Sequence, residues 1–129
     1  MISRRQARRQ ALFLLYQWDL AAGEAELGSQ YGGEIDPWAR ALAAEAAAQS
    51  ADLDGRITAA SDGWTADRLG AVERSALRIA IRELDRAEVP FEVAIDEAVA
   101  FAKKYSSEDA GRLVNGILGR IQREEAARR

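Results

Sequence analysis

Apolar residues in this chain recur at intervals of three and four. From about Arg4 to Ala21, the residues Ala7, Ala11, Leu14, Leu15 and Trp18 share one face, which predicts an amphipathic first helix. A glycine-rich connection, Gly23 to Gly33, follows, with a short turn of helix expected around Ala25. Asp36-Pro37 reads as an N-cap with proline at the first helical position, and the alanine-rich stretch from Trp38 to Gln49 is a strong helix former. Helix is expected to resume through Leu53 and Ile57 until Ser61-Asp-Gly63 breaks it. Thr65 is placed to cap a further helix through Leu69, Val72, Leu77, Ile81 and Leu84, which Gly70 would kink or divide. Val89-Pro90 opens the next, with Val93, Ala94, Ala98 and Phe101 at core spacing. Ser106-Ser-Glu-Asp109 reads as a helix entry with acids at the positive dipole end. The last helix carries Leu113, Val114, Ile117, Leu118 and Ile121 and is expected to fray from Arg123 to Arg129. No stretch alternates apolar and polar residues as a strand would. Six or seven short helices in 129 residues predict one compact all-α domain, 1–129, built as packed bundles.

Composition narrows the chemistry. Cysteine and histidine are both absent, which removes disulfides, thiol catalysis, and the commonest general base and metal ligand. Lack of cysteine is compatible with a reducing cytoplasm. No apolar run approaches the ~20 residues of a membrane span. Ala11-Leu-Phe-Leu-Leu15 behind positive charge superficially resembles a signal peptide. It is too short, and Gln17 and Asp19 interrupt it where a cleavage site should lie, so a retained helix is expected. No glycine-rich loop of phosphate-cradling or dinucleotide-binding type is present. The acid pairs Asp96-Glu97, Glu108-Asp109 and Glu124-Glu125 diverge along single helices and read as solvated surface, so neither catalysis nor a cofactor or metal is expected. Gly111, Gly116 and Gly119, inside a helical pattern, read as points of close helix approach.

Charge is the exception to this bland picture. Arg4, Arg5, Arg8 and Arg9 fall within six residues, and no acid precedes Asp19. The whole chain carries −3, so with +4 in residues 1–18 the remainder carries −7. Like charges at i,i+4 oppose helix formation, and cations are disfavoured at a helix N-terminus. Two readings follow: a face neutralised by acids from elsewhere in the body, or a basic stripe for a polyanion. Arginine forks hold phosphate bidentately and stack on bases. Four such contacts to a single strand would give a log–log salt slope of about 3.

Several segments together resemble a known family. Arg8-Arg9-Gln10-Ala11-Leu12 with Tyr16-Gln17-Trp18-Asp19, Val72-Glu73-Arg74 with Leu77-Arg78-Ile79-Ala80-Ile81-Arg82-Glu83-Leu84, Val93-Ala94-Ile95-Asp96-Glu97-Ala98-Val99, and Leu113-Val114-Asn115-Gly116-Ile117-Leu118 are similar to the NusB family of bacterial transcription antitermination factors. Residues 23–60 match in helical character alone. The resemblance implies two packed three-helix bundles, no catalytic activity, and binding of boxA RNA in nascent ribosomal RNA leaders. The implied partner is the ribosomal protein NusE, with RNA polymerase and other Nus factors reached indirectly. Monomers and homodimers both occur in the family, so a homodimer stays open. By resemblance Arg4, Arg5, Arg8, Arg9, Tyr105, Asp109 and Arg112 would face RNA, and Tyr16 and Glu73 the partner. Tyr16 and Tyr105 also read as core filler, Glu73 as an ion pair with Arg74, and Asp109 as dipole compensation. Leu113 and Arg82 stand where aromatics are common, Asp96 where Asn is usual, and Gly119 where Asp is usual. Two alternatives remain: a regulatory module like the N-terminal domain of rRNA cytosine methyltransferases, and a membrane-surface adaptor using the basic first helix. Against the first, no methyl-donor domain or catalytic cysteine follows Ile121; against the second, Ala11 to Trp18 reads as core.

Overall fold

The computed structural model describes residues 2–128. Among them the regular structure is α1 (Arg4–Leu20), α2 (Pro37–Ala48), α3 (Ser50–Ala59), a 3-10 turn (Ala66–Arg68), α4 (Ala71–Arg86), α5 (Phe91–Tyr105) and α6 (Glu108–Ala127). The fold is all-α, as the periodicity predicts.

The arginine-rich first turn forms because it is capped. The Ser3 hydroxyl accepts from the Gln6 N–H at 3.0 Å, and the Gln6 side chain accepts from the Ser3 N–H at 2.8 Å. This reciprocal box satisfies two orphan donors and offsets the repulsion that four cations impose. Further along, Ala11, Leu12, Leu14 and Leu15 are fully buried, packed toward α2, α4 and α5. That commitment turns the apolar face of α1 into the core. The helix ends where Ala22 and Gly23 take positive φ and the Gly23 N–H donates back to the Trp18 carbonyl. The turn of helix expected around Ala25 does not form. Gly28 at φ +86 instead reverses the chain where any side chain would meet Ile35 Cδ1 at 2.9 Å.

Asp36 caps α2 as its Asp-Pro signature predicts, with Oδ1 accepting from the Trp38 and Ala39 N–H groups. The helix then breaks at Gln49 alone, and α3 departs toward α4 and the 3-10 turn. Gly70 divides rather than kinks the next segment. It is the extended N-cap of α4, and Thr65 heads only the short turn, without a side-chain capping bond. α4 packs against each of the other five α-helices, and Ser75 through Ile81 are buried without interruption. α4, α5 and α6 pack pairwise as one bundle; α1, α2 and α3 make up the other and close on α4.

Three expectations fail for identifiable reasons. Val93 and Leu113 keep core spacing yet lie exposed, because their helices face solvent there. α6 continues to Ala127 instead of fraying at Arg123, since Glu125 pairs with Arg56 of α3 and Glu124 accepts from Arg120. Of the three C-terminal glycines, Gly111 alone sits in a close approach, beneath the Lys103 stem of α5. Gly116 faces open space, and Gly119 meets only the Arg123 guanidinium.

Candidate nucleic-acid interface

The four arginines do not form one stripe. Successive helical residues are about 100° apart, so Arg4 and Arg8 lie on one side of α1, and Arg5 and Arg9 on another. Arg8 turns inward. Its Nε donates to both Glu83 carboxylate oxygens at 2.8 and 2.9 Å, Nη2 approaches Oε2 at 2.7 Å, and the two side chains are 7% and 3% exposed. Arg8 is thus removed from the exposed basic set in the free protein. It is a fork-to-fork anchor between α1 and α4. Arg4 lies exposed with its guanidinium 4.3 Å from the Trp38 ring centroid, and Arg8 and Arg86 approach the same ring at 5.5 Å. Trp38 thereby orients Arg4 through cation–π attraction while leaving it at the surface.

Arg5 and Arg9 converge on Glu97 of α5. The Arg9 Nε donates to Oε2 at 3.3 Å and the Arg5 Nε donates to Oε1. Glu97 is buried, so the Asp96-Glu97 pair is not the solvated surface the sequence suggests; Asp96 alone is exposed. The two arginine side chains remain 67% and 51% exposed. Glu97, by hydrogen bonding and charge, holds the Arg5 guanidinium above its already high ordinary pKa, with a smaller contribution from Asp96. A cleft between α1 and α5 collects Arg5, Arg9, Glu97, Phe101, Lys104 and Tyr105. Tyr105 is exposed on one side and packs on the other, 5.1 Å from Phe13 and 5.0 Å from Phe101 between ring centroids. Tyr16 joins this cluster through Phe101, half-buried.

A second groove lies between the 3-10 turn and α6. Trp64, 56% exposed, and Leu113, 40% exposed, line it with Ser61, Arg68, Leu69 and Glu73. Glu73 does not pair with Arg74, whose guanidinium is taken by Asp19 and by the Ala66 and Leu69 carbonyls. Its side chain folds over Gly70, and Oε1 is buried with no hydrogen-bond partner among the described residues. Arg112 borders the adjoining depression beside Trp64 and Leu113, and pairs with Asp109 on the same exposed turn. The residues expected to face RNA therefore divide. Arg5, Arg9 and Tyr105 share the α1/α5 cleft, whereas Asp109 and Arg112 lie toward the groove that holds Glu73.

A buried network sets these surfaces relative to one another. Asp19, at the end of α1, receives Arg74 at 2.7 Å and Arg78 at 3.0 Å, and Arg78 also binds Asp54 at 2.7 Å. Burial pushes Arg78 down, but Asp54 and Asp19 outweigh it and hold its pKa above the ordinary value. Sequence reasoning missed Lys104, Glu97 and Trp64. The Lys103-Lys104 pair ahead of Tyr105 was a legible signal; the exposure of Trp64 and the burial of Glu97 had none.

Fold and surface together define an all-helical protein with an arginine-lined edge and, apart from it, an apolar groove carrying an unsatisfied carboxylate oxygen. Among the described residues no group of His, Cys, Asp and Glu is placed to hold a metal, and no helix is long and apolar enough to cross a membrane. The family model described as "NusB family" matches residues 5–123, and the chain belongs to the NusB family. The transcription antitermination protein NusB of Solibacter usitatus is 37% identical, over 96% of this chain and 91% of that protein. A crystal structure of T. maritima NusB superposes with a TM-score of 0.81 at 32% identity, over 95% of this chain and 92% of that one. A crystal structure of the antitermination factors NusB and NusE in complex with dsRNA gives a TM-score of 0.79 at 31% identity, over 94% and 96%.

Proposed function

We propose that this chain is a cytoplasmic, non-catalytic RNA-binding transcription antitermination factor. It binds boxA RNA of nascent rRNA leaders together with NusE, and through that complex joins RNA polymerase and other Nus factors. The observation that carries the reading is the exposed edge of α1. Arg4, Arg5 and Arg9 stay at the surface while Arg8 and the apolar turns behind it fix the helix to the body. A rigid mount lowers the ordering cost of gripping sugar–phosphate. Tyr105, beside this edge, offers a ring for base stacking, worth ~1–3 kcal/mol per base. Asp109 and Arg112, paired on the exposed first turn of α6, are assigned to RNA by the family resemblance alone.

The family relatives named as NusB, and the NusB–NusE–dsRNA complex to which this chain is similar, support both the RNA and the partner. For the partner the supporting observation is Glu73. It brings a carboxylate to the lining of an apolar groove beside the exposed Trp64 and Leu113, a combination that suits a basic protein. Tyr16 is assigned to the same partner reading. Binding of a fluorescent boxA-type RNA with and without NusE tests the proposal. A ternary complex tighter than either pair is expected; no RNA binding under either condition contradicts it.

A further inference from the structure

Glu97 presents a puzzle for an RNA-binding edge. A buried carboxylate at the floor of a cleft meant for a polyanion should repel its ligand. Its geometry answers the objection. Both Arg5 and Arg9 donate to it through Nε, one to each carboxylate oxygen. An arginine held by Nε still presents the Nη1/Nη2 edge of its planar fork. Arg5 makes only a long contact from Nη2 to the exposed Asp96, at 3.5 Å, and both side chains are at least half exposed. Lys104 lines the same cleft without an ion-pair partner among the described residues, its Nζ 5.4 Å from the Tyr105 ring centroid.

We propose that Glu97 is a positioning residue for RNA: it clamps the two Nε groups so that the outer edges of Arg5 and Arg9, with Lys104, converge on one phosphate at the mouth of the α1/α5 cleft. This deepens the RNA-binding reading above and rests on it. Two long side chains that would otherwise sample many rotamers are oriented before the ligand arrives, and part of the ordering cost of binding falls on folding instead. Charge counting and positioning then predict opposite signs. Removing a negative charge beside a polyanion tightens binding if only charge matters, and weakens it if orientation matters.

The test measures affinity for a fluorescent boxA-type RNA in the presence of NusE, for the parent, Glu97→Gln, Arg5→Lys/Arg9→Lys and Arg5→Ala/Arg9→Ala. Glu97→Gln is expected to bind roughly tenfold more weakly, with unchanged helical content at the temperature used. Added to Arg5→Ala/Arg9→Ala, it is expected to cause no further loss, and to tighten binding if it changes anything, because the groups it orients are gone and only its charge remains. The lysine pair keeps every charge on an exposed surface, so folding is not at risk, but it has no Nε to clamp; a similar roughly tenfold loss is expected. Equal or tighter binding by a folded Glu97→Gln overturns the assignment, as does parental affinity in the lysine variant. If the parent binds but Arg5→Ala/Arg9→Ala does not weaken it, Glu97 has nothing to position and the assignment falls, while RNA binding by other residues stands. A parent that binds no RNA overturns both.

Discussion

Arg8 and Arg9 are adjacent arginines with opposite duties. Arg8 is held by two carboxylate oxygens in a buried site, where loss of one partner strands the other's charge. Arg8→Ala is therefore expected to destabilise the protein by about 3–5 kcal/mol, read by urea or thermal unfolding. Arg9→Ala, at a half-exposed side chain, is expected to leave stability within about 1 kcal/mol and to weaken RNA binding instead. A stability loss as large at Arg9 as at Arg8 would contradict this division. Apolar spacing sets Arg8, three and four residues before Ala11 and Leu12, at the margin of the buried face and Arg9 opposite it, but it does not show the distant acid, Glu83, that lets an arginine be buried there. The same limit hid Glu97, whose neighbour Asp96 is solvent-exposed.

α4 is the element on which the others depend. It contacts all five remaining α-helices, and Leu77 at its centre is fully buried. Leu77→Ala is expected to cost about 2–5 kcal/mol in unfolding free energy, with one cooperative transition, since no helix can keep its packing when α4 loosens. α2 is tied to α4 by Glu45, which receives Arg86 at 2.7 Å and Arg82 at 2.9 Å. The hydrogen bond from Arg86 does most to hold the Glu45 carboxyl below its ordinary pKa, against a smaller upward push from burial. A carboxyl depressed in the folded state contributes stability above its unfolded pKa and loses it as pH falls through the folded value. The melting temperature of Glu45→Gln should accordingly lie below the parent's at neutral pH, and the gap should close below the ordinary carboxylate range. A gap that stays constant from neutral to acid pH contradicts the ion-pair account.

At this scale the hydrophobic rhythm was a good guide to the existence of elements and a poorer one to their joints. α1, α4 and α6 follow from apolar spacing, and Asp36-Pro37 marks the start of α2. The joint at Gln49 falls where the alanine-rich stretch ends, as expected, although no glycine or proline marks it; there the packing changes, from α1 and α4 for α2 to α4 and the 3-10 turn for α3. The persistence of α6 likewise depends on Arg56, a residue of α3 with no local signal. Val93 and Leu113 show the converse, apolar residues at helical spacing that the tertiary arrangement leaves in solvent. For Leu113 that exposure makes sense beside Trp64 in the groove assigned to the partner.

For the molecule as a whole, a net charge of −3 conceals a separation of roles. All four arginines of α4 are spent internally: Arg74, Arg78, Arg82 and Arg86, largely buried, pair with acids of other helices, so they cannot serve an external polyanion without loosening the bundle. Arg4, Arg5 and Arg9 are the cations the body holds outward at one edge. The salt dependence of RNA binding measures this most directly. Each phosphate contact to a single strand contributes about 0.7 to the log–log slope, and Arg5 and Arg9 share one phosphate, so Arg4→Ala/Arg5→Ala/Arg9→Ala should lower the slope by about 1.4 relative to the parent, with a large loss of affinity, measured below the melting temperature that the unpaired Glu97 lowers. An unchanged slope and affinity in that folded variant would place RNA elsewhere on the surface and contradict the central claim.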